Sequence, residues 1–283
     1  MQLGNRQKRN KSSINNNQHT IVHRTLKKNM KRIVFITGAT SGIGKACAEK
    51  FAANGDNIII NGRRKDRLSG LKISLENNFK VKVFESVFDV QKKEEVFTAI
   101  KKLPEEWQAI DILINNAGLA LGRDFFDEAD MDDWDTMMQT NVNGLLYVSR
   151  AILPLMTKRN SGHIINLGSV AGKEMYEKGN VYCVSKAAVD AISKTMRIDL
   201  LQHRIKVTAI HPGAVETEFA MVRFKGDKNK AADTYKGFKP LSGTDIAEII
   251  YYTSSLPPHV CINDVVITPL AQANAIYFKK DIP

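Results

Sequence analysis

The chain is poor in cysteine, and its first 29 residues contain no acid at all. Only Cys47, Cys183 and Cys261 occur in 283 residues. Their spacing fits neither a disulfide framework nor a metal-ligand set. Three small buried or half-buried thiols are expected, in keeping with a reducing cytoplasm, and no metal. No apolar run approaches the roughly 18–20 residues that a membrane helix needs. The N-terminus also lacks the apolar stretch of a secretory signal. Aromatics make up 7% of the chain and charged residues 25%, both ordinary for a globular protein.

The net charge of +11 is unevenly placed. Arg6, Lys8, Arg9, Lys11, Arg24, Lys27 and Lys28 lie in residues 1–29, so subtracting these seven charges leaves +4 for the rest. A near-balanced body with a basic arm does not read as a nucleic-acid-binding domain. The arm is rich in Asn, Gln, Ser and Lys/Arg and has few residues able to form a core, so it is predicted to be disordered. One reading makes it a basic arm that touches RNA or acidic lipid. The preferred one starts translation at Met30, immediately before the first strand.

From Lys31 onward, short apolar runs alternate with helical spacing. Strands are predicted at 31–37, 57–61, 81–86, 110–115, 162–167, 206–211 and 265–268. Helices are predicted at 43–54, 65–77, 91–102, 131–158, 181–203 and 244–255. Strands that are apolar throughout and separated by helices imply a parallel sheet covered on both faces. The expected fold is α/β, a doubly wound Rossmann sheet forming a single domain over residues 30–283. Its ligand site should lie beyond the carboxyl ends of the strands, where the irregular stretches fall.

The first of these stretches, Gly38-Ala39-Thr40-Ser41-Gly42-Ile43-Gly44, joins a strand to a helix. Glycines there permit a tight turn, and backbone N–H groups can approach a pyrophosphate. The second strand ends in Asn61-Gly62-Arg63-Arg64. It has no acid to bind a ribose 2′-hydroxyl, and it has two guanidiniums suited to a 2′-phosphate, so NADP is expected rather than NAD. After the third strand, Asp89-Val90 offers a carboxylate to the adenine amino group.

Tyr182 and Lys186 lie four apart on a predicted helix and share a face. A cation beside a phenol stabilises the phenolate, so the pair can exchange a proton near neutral pH. Ser169, at the end of the fifth strand, can hold a carbonyl oxygen. Taken alone, a Tyr-x-x-x-Lys spacing is weak evidence. Here it stands in order with Thr37-Gly38 to Gly44, Asn115-Asn116-Ala117-Gly118, Asn141, Ser169 and Pro212-Gly213. In that order and spacing the chain resembles the short-chain dehydrogenase/reductase family over about residues 31–270.

The resemblance implies that Tyr182 is the proton donor or acceptor, and that Lys186 holds the nicotinamide ribose and tunes Tyr182. Ser169 would orient the substrate oxygen, and Asn141 would help hold a water linking Lys186 to solvent. Asn115, Asn116, Ala117 and Gly118 would border the coenzyme, with Pro212, Gly213, Val215 and Thr217 beside the nicotinamide. It also implies a homotetramer built through the helices after strands four and five.

Stretches in the C-terminal third, including 216–219, 222–227 and 272–273, resemble the branch holding the NADP-dependent 3-hydroxy acid dehydrogenases. That branch implies oxidation of a small 3-hydroxy acid or the reverse reduction. Residues 216–240 are expected to form a mobile lid over the pocket. Arg223, flanked by Val222 and Phe224, is the candidate partner for a substrate carboxylate. A 3-oxoacyl carrier-protein reductase, a broad carbonyl reductase and a non-catalytic dinucleotide sensor remain as alternatives.

Overall fold

The computed structural model describes residues 31–281. The expectations for residues 1–29 and for a start at Met30 lie outside the described residues.

From Ile33 onward the chain forms one compact unit. In chain order its elements begin with β1 (Ile33–Ile36), α1 (Gly42–Ala53), β2 (Asn57–Gly62), α2 (Lys65–Phe79), β3 (Val83–Val87) and α3 (Lys93–Lys101). They continue with β4 (Ile110–Asn115), α4 (Met131–Met138), a π-helical turn (Gln139–Gly144), α5 (Leu145–Thr157) and β5 (Gly162–Leu167). Next come α6 (Asn180–Asp199), β6 (Ile205–Pro212), the short β7 (Val215–Glu216), α7 (Phe219–Arg223) and α8 (Lys228–Asp233). The series closes with β8 (Leu241–Ser242), α9 (Gly243–Ser255) and β9 (Asp264–Ile267).

Seven strands form one sheet in the order β3-β2-β1-β4-β5-β6-β9, and every pairing is parallel. The order reverses between β1 and β4, which opens a crevice at their carboxyl ends. Alternation along the strands divides the core. Val34, Ile36, Ile58 and Ile60 pack with Cys47 and Phe51 of α1 and Ile246 and Ile250 of α9. Ile33, Phe35, Ile59 and Leu113 pack on the opposite face with Val148, Ile152 and Met156 of α5. Burial on both faces explains why these strands carry no polar alternation.

Two predicted elements differ from the structure. The expected helix over 131–158 is not continuous α-helix: it widens to π geometry at Gln139–Gly144. Val142 and Gly144 are buried there, and a Cβ on Gly144 would stand 2.9 Å from Val90 Cγ2. Packing this close to the β3–α3 connection is a tertiary constraint that helical periodicity does not contain. Residues 216–240, read as an irregular lid, instead hold α7 and α8. They are bracketed by β7 and β8, which pair with each other.

Candidate active site

A cavity of about 880 Å³ opens at the carboxyl ends of β1, β4, β5 and β6. Nearly every site position named from the sequence lines it, and only Gly44, Asn115 and Asn141 stand behind its wall. The turn after β1 forms one end. Gly38 and Gly42 adopt φ of +66° and +54°, a backbone region that side chains disfavour. Gly44 serves close approach: a Cβ there would fall 2.4 Å from the Gly38 carbonyl oxygen. The turn is thus folded tightly onto the start of α1.

The Asn115–Gly118 segment braces this turn. Asn116 Nδ2 donates to the carbonyls of Thr37 (2.9 Å) and Gly38 (3.2 Å). The Thr37 hydroxyl accepts from the backbone N–H groups of Asn116 and Ala117. Asn115 is buried and donates to Ser149 and Asn166, so its side chain ties β4 to its neighbours.

Arg63 and Arg64 take separate paths. Arg64 folds back over the turn, where Nη2 donates to Thr40 Oγ1 (2.7 Å) and Ser41 Oγ (3.2 Å). Its Nη1 meets Glu218 Oε2 at 3.1 Å. Gly62 makes room, because a Cβ there would lie 2.6 Å from Thr40 Cγ2. Arg63 is more exposed and stands 3.6 Å from Asp89 Oδ2. Val90 belongs largely to the core. Thr217 packs within reach of Gly42, joining the start of the 216–240 segment to the turn.

The other end of the cavity is built on β5 and α6. Ser169 follows β5, and its Oγ accepts from the Ala171 N–H at 3.1 Å. The Tyr182 phenol lies beside Ser169, and both residues are buried. Lys186, one turn along α6, is also buried, and its Nζ donates to the Leu167 carbonyl at 2.8 Å. Burial pulls the Lys186 ammonium down to about 8. Burial also pushes the Tyr182 hydroxyl well above its ordinary range, against the pull of Ser169 and the charge of Arg223. The bond of the Lys186 ammonium to the Leu167 backbone carbonyl is a contact the sequence reading did not name. The cation over the Tyr182 ring is Arg223, with Cζ 5.5 Å from the ring centroid.

Asn141 lies in the π turn. Its Oδ1 accepts from Leu119 N–H and its Nδ2 donates to Leu119 O, both at 2.8 Å, with Ser185 Oγ at 3.0 Å. The side chain is therefore committed to clamping the loop after β4. A water held at this position would fall to backbone atoms that the π widening frees from the usual ladder.

The sequence reading gave no site role to Tyr176 or Gln272, and expected Phe219 to close over the pocket. Tyr176, in the loop after β5, accepts from Arg223 Nη1 at 3.0 Å. Phe219 packs on Tyr182 with centroids 5.7 Å apart. The C-terminal segment also reaches the site. Gln272 is buried, and its Oε1 accepts from the Ala214 N–H at 2.8 Å. Tyr176 carries no periodicity or motif that would separate it from an ordinary loop residue, whereas Phe219 and Gln272 fall in the stretches that resemblance to the 3-hydroxy acid branch marks.

One group outside the cavity brings His and carboxylate donors together. Asp190, His211 and Asp264 place ligand-type atoms within 4.8 Å of one another. The cation there is the Lys173 ammonium, 2.8 Å from Asp190 and 2.7 Å from Asp264. Among the described residues, no helix is long and apolar enough to cross a membrane.

Comparison with known proteins agrees with this architecture. The NADP-dependent 3-hydroxy acid dehydrogenase YdfG of Salmonella typhi is 45% identical over 244 residues, covering 86% of this chain and 97% of the relative. Sulfoacetaldehyde reductase 2 of Chromohalobacter salexigens is 42% identical over 245 residues, covering 86% and 96%. Among solved structures, the closed form of serine dehydrogenase complexed with NADP+ superposes with a TM-score of 0.83 at 44% identity, covering 86% and 97%. Residues 32–228 match the short chain dehydrogenase family. With that match over most of its length, and a doubly wound sheet beneath it, the chain belongs to the short-chain dehydrogenase/reductase family of oxidoreductases.

Proposed function

We propose that this protein is an NADP-dependent oxidoreductase acting at the 3-hydroxyl carbon of a small 3-hydroxy acid, such as serine, allo-threonine or 3-hydroxypropionate. The observation that carries the reading is the gathering of Ser169, Tyr182 and Arg223 in one cavity with the Gly38–Gly42 turn and Arg64. The relatives named for 3-hydroxy acids and for sulfoacetaldehyde support a small substrate bearing an acid group.

The cavity suits the coenzyme. The close approach of Gly44 to Gly38 leaves backbone amides for a pyrophosphate, and Arg64 offers a guanidinium for a 2′-phosphate. Asp89, Val90, Gly118, Pro212, Gly213, Val215 and Thr217 complete the walls. Bound NADP supplies the hydride acceptor, or in reduction the hydride donor. The protein's own residues manage the proton. Ser169 holds the substrate oxygen by hydrogen bonding. In oxidation Tyr182 Oη takes the hydroxyl proton as the carbonyl forms, and in reduction it returns that proton. Lys186 holds the ribose, and its nearby charge then favours the phenolate. The Asn141 backbone region connects Lys186 to solvent. Arg223 pairs with the acid group, and the 216–240 segment covers the pocket and excludes water.

The same reading gives a cytoplasmic homotetramer assembled through α4–α5 and α6. Purified protein with NADP or NAD, offered serine, allo-threonine, 3-hydroxypropionate and 3-hydroxybutyrate, tests it by the absorbance of reduced coenzyme. Turnover of at least one acid with a strong preference for NADP is expected. Turnover of uncharged alcohols alone would overturn the substrate class.

A further inference from the structure

Gly168 and Ser169, just past β5, lie against the end of β6. The Gly168 N–H donates to the Ile210 carbonyl at 2.7 Å, and the next residue of β6 is His211. A Cβ on Gly168 would fall 2.4 Å from His211 Nδ1 and 2.6 Å from its Cε1, so only glycine lets the imidazole come so close to this backbone. The ring is fully buried, and Nδ1 stands 3.3 Å from the Ser169 carbonyl oxygen. That carbonyl also accepts from the Gly172 N–H at 2.9 Å, which closes the turn Val170–Gly172. The turn in its place meets α6: a Cβ on Gly172 would fall 2.5 Å from the Lys186 carbonyl oxygen. The stretch that carries the Ser169 hydroxyl is therefore wedged between His211 and the backbone of Lys186.

The other ring nitrogen faces charge. His211 Nε2 stands 3.4 Å from Asp264 Oδ2 and 3.6 Å from Asp190 Oδ1. Among the described residues it makes no hydrogen bond. Lys173 Nζ donates to those same two oxygens at 2.7 and 2.8 Å, and Lys194 Nζ donates to Asp190 Oδ2 at 2.8 Å. Burial, and then Lys173, hold the imidazole below its ordinary value, so near neutral pH the ring carries one proton. A carbonyl oxygen only accepts. With Lys173 serving both carboxylates, the single proton is best used on Nδ1, donated to Ser169.

We propose that His211 is a positioning residue for the Ser169 hydroxyl: its Nδ1–H fixes the Ser169 carbonyl, and the Lys173 bridge between Asp190 and Asp264 keeps that proton on Nδ1. The proposal rests on the role given above to Ser169 and adds the support behind it. His211 does not line the cavity, so it acts on the reaction only through the backbone it holds. A misplacement of about 1 Å in a group that orients the substrate costs roughly hundredfold in rate.

The test measures kcat, coenzyme affinity and Tm for wild type, His211→Gln, His211→Asn, Ser169→Ala and the double variant His211→Gln with Ser169→Ala. Each is assayed with NADP and the substrate that wild type turns over fastest. A Gln amide reaches the place of Nε2, and an Asn amide the place of Nδ1. His211→Gln should lower kcat roughly ten- to hundredfold with coenzyme affinity unchanged, and His211→Asn should recover most of that loss. In the Ser169→Ala background His211→Gln should cost little more, because the hydroxyl it positions is gone. Should Tm show that His211→Gln does not fold, Lys173→Gln in both backgrounds reads the same coupling, since it frees the carboxylates to draw the proton from Nδ1. An unchanged kcat, a loss that Asn does not recover, or equal losses with and without the Ser169 hydroxyl overturns the proposal. If Ser169→Ala itself leaves kcat unaltered, the role of Ser169 falls and the proposal falls with it. If Ser169→Ala lowers kcat while the His211 loss is the same in both backgrounds, the role of Ser169 stands and the His211 proposal alone is refuted.

Discussion

Arg64 and Glu218 form an ion pair of 3.1 Å, joining the glycine turn after β1 to the 216–240 segment. Arg67 grips the other oxygen of the same carboxylate at 2.7 Å. Burial would raise the Glu218 carboxyl, yet Arg67 and Arg64 outweigh it and hold the group below its ordinary range. A coenzyme 2′-phosphate and Glu218 would draw on the same guanidinium. Arg64→Ala should weaken NADP binding roughly ten- to hundredfold while NAD changes little. Arg63→Ala should do less, since Arg63 is more exposed and turned toward Asp89. Glu218→Gln should tighten NADP by a smaller factor. Fluorescence titration with both coenzymes checks this, and equal losses for NAD and NADP in Arg64→Ala would refute it.

Tyr182→Phe keeps the ring against Phe219 and removes the proton carrier. Turnover should fall by roughly 10²–10⁴-fold, with coenzyme affinity nearly unchanged. Lys186→Ala should lower both, because it removes the ribose contact and the charge near the phenol. Steady-state rates and coenzyme titrations separate the two outcomes. Substantial turnover in Tyr182→Phe would rule out the proton step assigned to it.

The network of Lys173, Lys194, Asp190, His211 and Asp264 should make the fold sensitive to acid. Burial opposes ionisation of Asp190, but its bonds to Lys173 and Lys194 prevail and hold its carboxyl low. Burial first, and then Lys173, pull His211 below the ordinary imidazole value. Both groups therefore bind fewer protons folded than unfolded, so stability rises with pH and is lost on acidification. The His211 contribution is present above its unfolded value and fades as pH drops below it. The Asp190 contribution persists further into acid and fades as pH falls through its lowered folded value. Asp190→Asn should unfold at lower denaturant than wild type at neutral pH, with the gap closing on acidification. A gap that stays constant across that range would contradict the linkage.

Helix α6 presents apolar side chains away from the core. Ile198 is 74% exposed, Leu201 just beyond it is 75% exposed, and Val184 is exposed as well. Leu146 of α5 is also exposed. A helix with apolar residues on two faces needs a second covering beyond its own sheet. Light scattering at micromolar concentration should give the mass of a tetramer, and Ile198→Glu should lower it. A monomeric wild type would end the assembly proposal.

Much of the fold was legible because it rests on local regularities. Apolar runs such as Ile58-Ile59-Ile60 are buried on both faces and so read as inner strands. Boundaries shifted by one to four residues, as with β3 (83–87 against 81–86) and α6 (180–199 against 181–203), because helix and strand ends depend on neighbours as well as on pattern. The π turn at Gln139–Gly144 escaped detection, since its cause is packing of Gly144 against Val90, 54 positions earlier in the chain.

The sequence by itself determined the alternation of strand and helix, the glycine turn after β1, and the placing of Tyr182 and Lys186 on one helical face. Each follows from spacings of a few residues, which backbone geometry converts directly into position. Only the tertiary structure decided which cation lies over Tyr182. Arg223 reaches that ring from a segment 41 positions away, held by Gly122 at a separation of 101 residues and by Tyr176 at 47. Likewise Lys186 turned to the end of β5, Glu218 came to Arg64, and Asn141 spent its side chain on Leu119. These partners are chosen by the packing of crossovers onto the sheet, where distant loops compete for the same donors and acceptors. No short-range pattern records the outcome of that competition.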